Sequence, residues 1–151
     1  MDEAVTTHLE RVRAQRAELG EAMAALDDAL SNPIGLGGVW RGRVRAALTE
    51  LAHDMRDHMT LTEAPDGLYA DLRARAPRLS REVDTQVTEH AELLAEIDRL
   101  LAERDEGIKS REAVHAHREA ATVLLGRLAR HRQRASDLVF EAYDVDLGGS
   151  G

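Results

Sequence analysis

Cysteine is absent from this chain of 151 residues. Disulfides, thiolate metal sites and cysteine nucleophiles are thereby excluded together, and the composition suits a reducing compartment. Basic residues are in the minority, 20 Lys+Arg against 28 Asp+Glu, for a formal net charge of -8. A broad basic face for phosphate contacts is therefore missing, which argues against a nucleic-acid or anionic-membrane partner. No apolar run approaches the ~20 residues needed to span a bilayer. The opening MDEAVTTHLERV is acidic and amphipathic, without the basic and apolar regions of a signal peptide. No serine nucleophile arrangement or glycine-rich phosphate loop stands out either. The expectation is a soluble, cytoplasmic protein with one domain over residues 1–151.

What the chain does have is helical periodicity. In the first segment, from about Asp2 to Leu30, Val5, Leu9, Val12, Leu19, Met23, Leu26 and Leu30 follow a four-three rhythm that Arg16 interrupts. Ser31-Asn32-Pro33 and the following glycines break that helix. A second helix begins near Val39-Trp40 and carries Val44, Leu48, Leu51, Met55, His58 and Thr62 on one seam, ending at Glu63 before Ala64-Pro65. The segment APDGLYADLRARAP is long for a connector and predicts a turn or short helix folded against the bundle end, as a lid or as packing. From about Arg78 to Glu106 the rhythm returns with Leu79, Val83, Val87, His90, Leu94, Ile97 and Leu101. A last helix from about Ser110 carries Val114, His117, Ala121, Leu124, Leu128, His131, Ala135 and Leu138. Four amphipathic helices with short to moderate connections predict an all-α, antiparallel, up-down-up-down four-helix bundle.

Three histidines thus stand where core aliphatics are expected: His58, His90 and His131. Levels can be compared by counting from the turns. His90 lies about seventeen residues before the Gly107–Lys109 turn and His131 about twenty-two after it, a mismatch of roughly 7 Å at 1.5 Å per residue. The level matching His58 on the first helix falls near residues 8–12, which includes His8. His117 lies two heptads from His131, at the opposite end, and reads as structural. Several imidazoles in one apolar layer leave each other's ring nitrogens unsatisfied, whereas a metal satisfies them at once. Imidazole with a carboxylate, Glu63, and no thiolate suits iron, manganese or zinc.

In these residues the chain resembles the hemerythrin-like (hemerythrin and HHE cation-binding) family. The resemblance runs in order through His8, HMTLTE with His58 and Glu63, TEHAELLAEIDRL with His90, and RLARHRQRASDLVFEAY with His131. It implies a non-heme di-iron centre, oxo- or carboxylate-bridged, that binds O2, NO or peroxide for sensing, redox handling or iron homeostasis. In the family the histidine–carboxylate pair is commonly spaced by four, and here His58 and Glu63 are five apart. The expected carboxylate position on the last helix holds Ala135 or Ser136, with Asp137 and Glu141 the nearest substitutes. Where some members carry a second histidine on the third helix, this chain has Gln86. The competing reading is a metal-free or zinc-bound helical adaptor that associates through its charged outer faces.

Overall fold

The computed structural model describes residues 3–35, 38–103 and 110–144. In chain order it contains α1 (Glu3–Ser31), α2 (Gly38–Glu63), the short α3 (Leu68–Arg75), a 3-10 turn at Pro77–Leu79, α4 (Ser80–Ala102) and α5 (Arg111–Tyr143). The four long helices pack consecutively, α1 on α2, α2 on α4 and α4 on α5, with α5 returning to α1. This is the expected all-α up-down bundle. No helix among the described residues is long and apolar enough to cross a membrane.

The breaks have local causes. After Glu63, the Gly67 N–H closes a turn on the Ala64 carbonyl at 2.8 Å. A Cβ on Gly67 would lie 2.8 Å from the Leu61 carbonyl oxygen, so the close approach of this turn to the end of α2 requires glycine. The chain then enters α3, whose Leu68, Tyr69 and Leu72 are buried against the bundle end, as the segment's apolar residues predict. Ala76 is pushed to an extended φ of -133° by the following Pro77, which opens the 3-10 turn. That turn uses residues 77–79, so α4 starts at Ser80 rather than near Arg78. It stops at Ala102 because Glu103 is extended, with ψ 119°; the expected extension through residues 104–106 lies outside the described residues. At the start of α5, the Ser110 hydroxyl oxygen accepts from the Ala113 N–H at 3.0 Å, satisfying one orphan donor of the first turn.

The interior is divided. One apolar cluster fills the Trp40 end and includes Leu19, Leu26, Leu51, Met55, Leu93 and Leu128. A second lies under α3 and includes Leu9, Val12, Leu72, Val83, Leu138 and Val139. Between them, each long helix contributes buried polar groups: Gln15 and Arg16 from α1, His58 from α2, Gln86 and His90 from α4, and His131 from α5. On α2, α4 and α5 a histidine directly follows or precedes a core residue of the first cluster at helical spacing, as in Met55–His58, His90–Leu93 and Leu128–His131. The interior is thus two apolar clusters with a polar layer between them.

Candidate metal centre

His58, His90 and His131 are 7 %, 0 % and 1 % exposed. One ring nitrogen from each lies within 4.8 Å of the others. The ring centroids of His90 stand 4.8 Å from His58 and 4.7 Å from His131. Three seam positions on three helices therefore converge as their rhythm predicts.

Each imidazole is anchored through Nδ1. His90 Nδ1 lies 2.7 Å from Glu63 Oε2, and His131 Nδ1 lies 2.8 Å from Glu89 Oε1. Because an ionised carboxylate only accepts, the proton sits on Nδ1 in both rings. For His58 the partner is Gln15 Oε1 at 2.7 Å. The Gln15 amide cannot be turned round, since its Nε2 donates to the Asp54 carbonyl at 2.7 Å. His58 therefore also carries its proton on Nδ1. In all three rings Nε2 is left as an unprotonated lone pair, the form in which imidazole ligates a metal.

Protonation does not relieve this. Burial drives His58 down to about 3, helped by the neighbouring His131, Arg16 and Arg132. Burial likewise takes His90 down to about 2, with His58 and His131 adding to the effect. His131 is lowered by burial despite Glu89 beside it. Donors are scarce as well. His131 Nε2 is buried with no hydrogen-bond partner. Tyr69, which burial keeps firmly protonated, lies 3.3 Å from Gln86 Oε1 and 3.4 Å from His90 Nε2. Its single proton can serve only one of these acceptors at a time. The layer therefore holds more inward lone pairs than protons to satisfy them, which is the chemistry of a cation site.

The remaining sequence candidates fall elsewhere. Glu63 stands behind His90, on its Nδ1 side, and orients the ring. His8 is partly buried on α1, seven positions before Gln15, or about 10 Å along the helix. It is not part of the histidine cluster, and Gln15 holds the α1 position there. Asp137 is exposed and accepts from Gln133 Nε2 at 3.0 Å. Glu141 is 57 % exposed and pairs with Arg78 at 3.0 Å. The helical geometry explains both, since neither Asp137 nor Glu141 shares the inward face of His131 at its level. His117, read as structural, lies at the other end, with Nδ1 3.0 Å from Glu103 Oε2 and its ring 6.3 Å from Trp40.

Among the described residues, the buried cluster that could hold a metal consists of the three histidines without a carboxylate. Thr62, four residues after His58, gives its hydroxyl to the His58 carbonyl at 2.8 Å. Ser136 stands five after His131. The donor set brought together is three neutral imidazoles. Beside His58 and His131 lies a cavity of about 20 Å³ with largely apolar walls from Val12, Leu19, Leu68 and Val139, roomy enough for about one water-sized group. Comparison of the chain with protein-family models, curated proteins and solved structures returns no match.

Proposed function

We propose that this chain is a metal-binding four-helix bundle of hemerythrin-like character, in which His58, His90 and His131 hold one transition-metal ion, iron or zinc. The supporting observation is the common anchoring of the three rings by Gln15, Glu63 and Glu89, which leaves the Nε2 atoms as the donors. Three neutral imidazoles without thiolate suit these metals over magnesium or calcium. When bound, an ion with three protein ligands supplies a Lewis-acidic centre with an open position. That position is the one for a small ligand, with O2, NO and peroxide as the candidates from the family resemblance. The chain's own residues provide the rest. Glu63 and Glu89 hold protons at Nδ1 and keep the rings oriented, Tyr69 carries the phenolic proton beside His90, and the apolar walls keep bulk water out.

A di-iron centre requires a carboxylate to leave its present partner; Glu63, held by His90, and Glu89, held by His131, are the two anchored beside the triad. Elemental analysis of protein made with iron or zinc supplied separately tests the proposal. About one ion per chain is expected, lost together in His58→Leu, His90→Leu and His131→Leu. Two irons per chain with an oxo-bridge spectrum would replace this reading with the dinuclear one. A metal-free protein whose folding ignores added metal would leave the adaptor reading in its place.

A further inference from the structure

We propose that His53, Asp54 and Asp57 on α2 form a second cation site, separate from the buried triad, that takes one divalent transition-metal ion. Their spacing builds it. Positions 53 and 57 are one turn apart and 54 is three before 57, so the three border one patch of the helix surface. One donor atom from each, a ring nitrogen and two carboxylate oxygens, lies within 4.8 Å of the others. His53 Nε2 stands 3.3 Å from Asp57 Oδ2, and these two side chains are 67 % and 53 % exposed.

Asp54 sets this patch apart from an ordinary pair of exposed side chains. It is only 6 % exposed, at a place where α1 is tied to α2 by the Gln15 Nε2 bond to the Asp54 carbonyl, 2.7 Å long. Its carboxylate has no hydrogen bond or ion pair among the described residues. Instead it is surrounded by charges of its own sign. Burial raises its pKa above the ordinary carboxylate value, Glu50, Glu18 and Asp57 raise it further, and His53 acts the other way. A buried carboxylate without a partner is costly, and a cation held against it removes that cost. The buried oxygen and the exposed pair thus converge on one point.

The donors set the class of ion. An imidazole favours a first-row transition metal over calcium or magnesium, and two carboxylates admit manganese as well as zinc. Ligands at about 2.0–2.2 Å from one ion stand about 3–4 Å apart, so small turns of the exposed His53 and Asp57 side chains close the set around it. Glu18 and Glu50 remain as nearby negative charge that draws a cation in. The site does not rest on the metal reading of the triad, although Gln15 touches both, with Oε1 at His58 and Nε2 at Asp54. Because two of its three ligands are exposed, its ion exchanges with the buffer, and desalted protein keeps only the ion of the triad.

Manganese is the probe, added after one zinc per chain has been supplied for the three imidazoles, which suit zinc better. Loss of the free-ion electron paramagnetic resonance signal should show about one manganese bound per chain. Asp54→Asn keeps the side-chain shape and should weaken that binding at least about tenfold. Glu119→Gln, an equal loss of charge at an exposed position of α5, should leave it unchanged. Equal affinity in wild type and Asp54→Asn, or an equal fall in Asp54→Asn and Glu119→Gln, overturns the proposal. In His131→Leu, manganese binding should persist while zinc binding is lost; manganese lost there but kept in Asp54→Asn also overturns it. A wild-type crystal soaked in manganese gives a readout that does not depend on any variant's folding. An anomalous peak among His53, Asp54 and Asp57 supports the site, and peaks confined to other places overturn it. Zinc content is measured in the same samples, so failure of the triad and failure of the outer site give different results.

Discussion

Replacing His131 with leucine should have opposite effects on the empty and the metal-loaded protein. His131 lies between Leu128 and Leu138 on the inward face of α5, and its Nε2 is buried without a partner. An unsatisfied buried polar atom costs roughly 1–3 kcal/mol, and an aliphatic side chain of similar size removes that cost. Glu89, left behind, keeps its bond to Arg134 and is partly exposed, so its own penalty is small. The chelated variant should therefore melt roughly 2–12 °C above wild type, at roughly 2–4 °C per kcal/mol for a chain of this size. With metal at about 1,000 times the wild-type Kd, the ion stabilises the native state by about 4 kcal/mol. Losing one of three ligands removes most of that, which outweighs the apo gain and puts the variant below wild type. The assay is a pair of melting curves for each protein, with chelator and with zinc. Equal shifts of the same sign under both conditions would refute the metal argument and make His131 an ordinary core histidine.

Glu63→Ala should weaken metal binding by about 10–100-fold without abolishing it, since Glu63 acts on His90 through Nδ1; isothermal titration that finds an unchanged Kd removes Glu63 from the site. Gly67→Ala should destabilise by roughly 1–3 kcal/mol, because the new methyl meets the Leu61 carbonyl oxygen at 2.8 Å; a neutral urea midpoint would show that the turn yields freely. In the metal-free protein, stability should fall on the acid side. The folded-state values of His58 and His90, about 3 and about 2, lie below the unfolded value near 6.5, so the unfolded chain binds more protons between them. Their contribution is fully present above about pH 6.5 and is lost as pH falls towards 3, by up to about tenfold in the unfolding constant per pH unit for each histidine. Urea melts at stepped pH check the slope, and a stability that stays flat from pH 7 to 5 contradicts it.

The bundle and the three clustered histidines were legible because they share one physical signal. An imidazole in the place of a core leucine shows against a four-three seam, and His58, His90 and His131 each did so. Arg16 was visible only as an interruption of the α1 rhythm; its Nη1 donates to the Arg132 carbonyl of α5, a partner distant in sequence. Gln15 was hidden because a glutamine on an amphipathic helix has no local mark of burial, and its role comes from a level shared with His58. Counting residues placed that level nearer His8, since α1 and α2 are joined by a connector whose path the count does not contain. Glu63 was found by its nearness to His58 but serves His90 on the next long helix. Tyr69 stands in a segment expected only to fold against the bundle end, and its hydroxyl's position beside the histidine layer depends on how α3 folds back.

The polar layer also fixes the vertical alignment of the helices. Two uniform leucine cores would tolerate sliding one helix by a turn, about 5.4 Å, with modest loss of contact. Here such a slip of α4 would carry His90 out of the plane it shares with His58 and His131 and into one of the apolar clusters, separating it from Glu63. It would at the same time bring an aliphatic side chain opposite the remaining imidazoles and leave them without a common centre. A slip of α5 would do the same to His131 and Glu89. The histidines act as a keyway: they give up some of the attraction a continuous apolar core would have had, and in return only one stagger of the four helices gives every ring its Nδ1 partner.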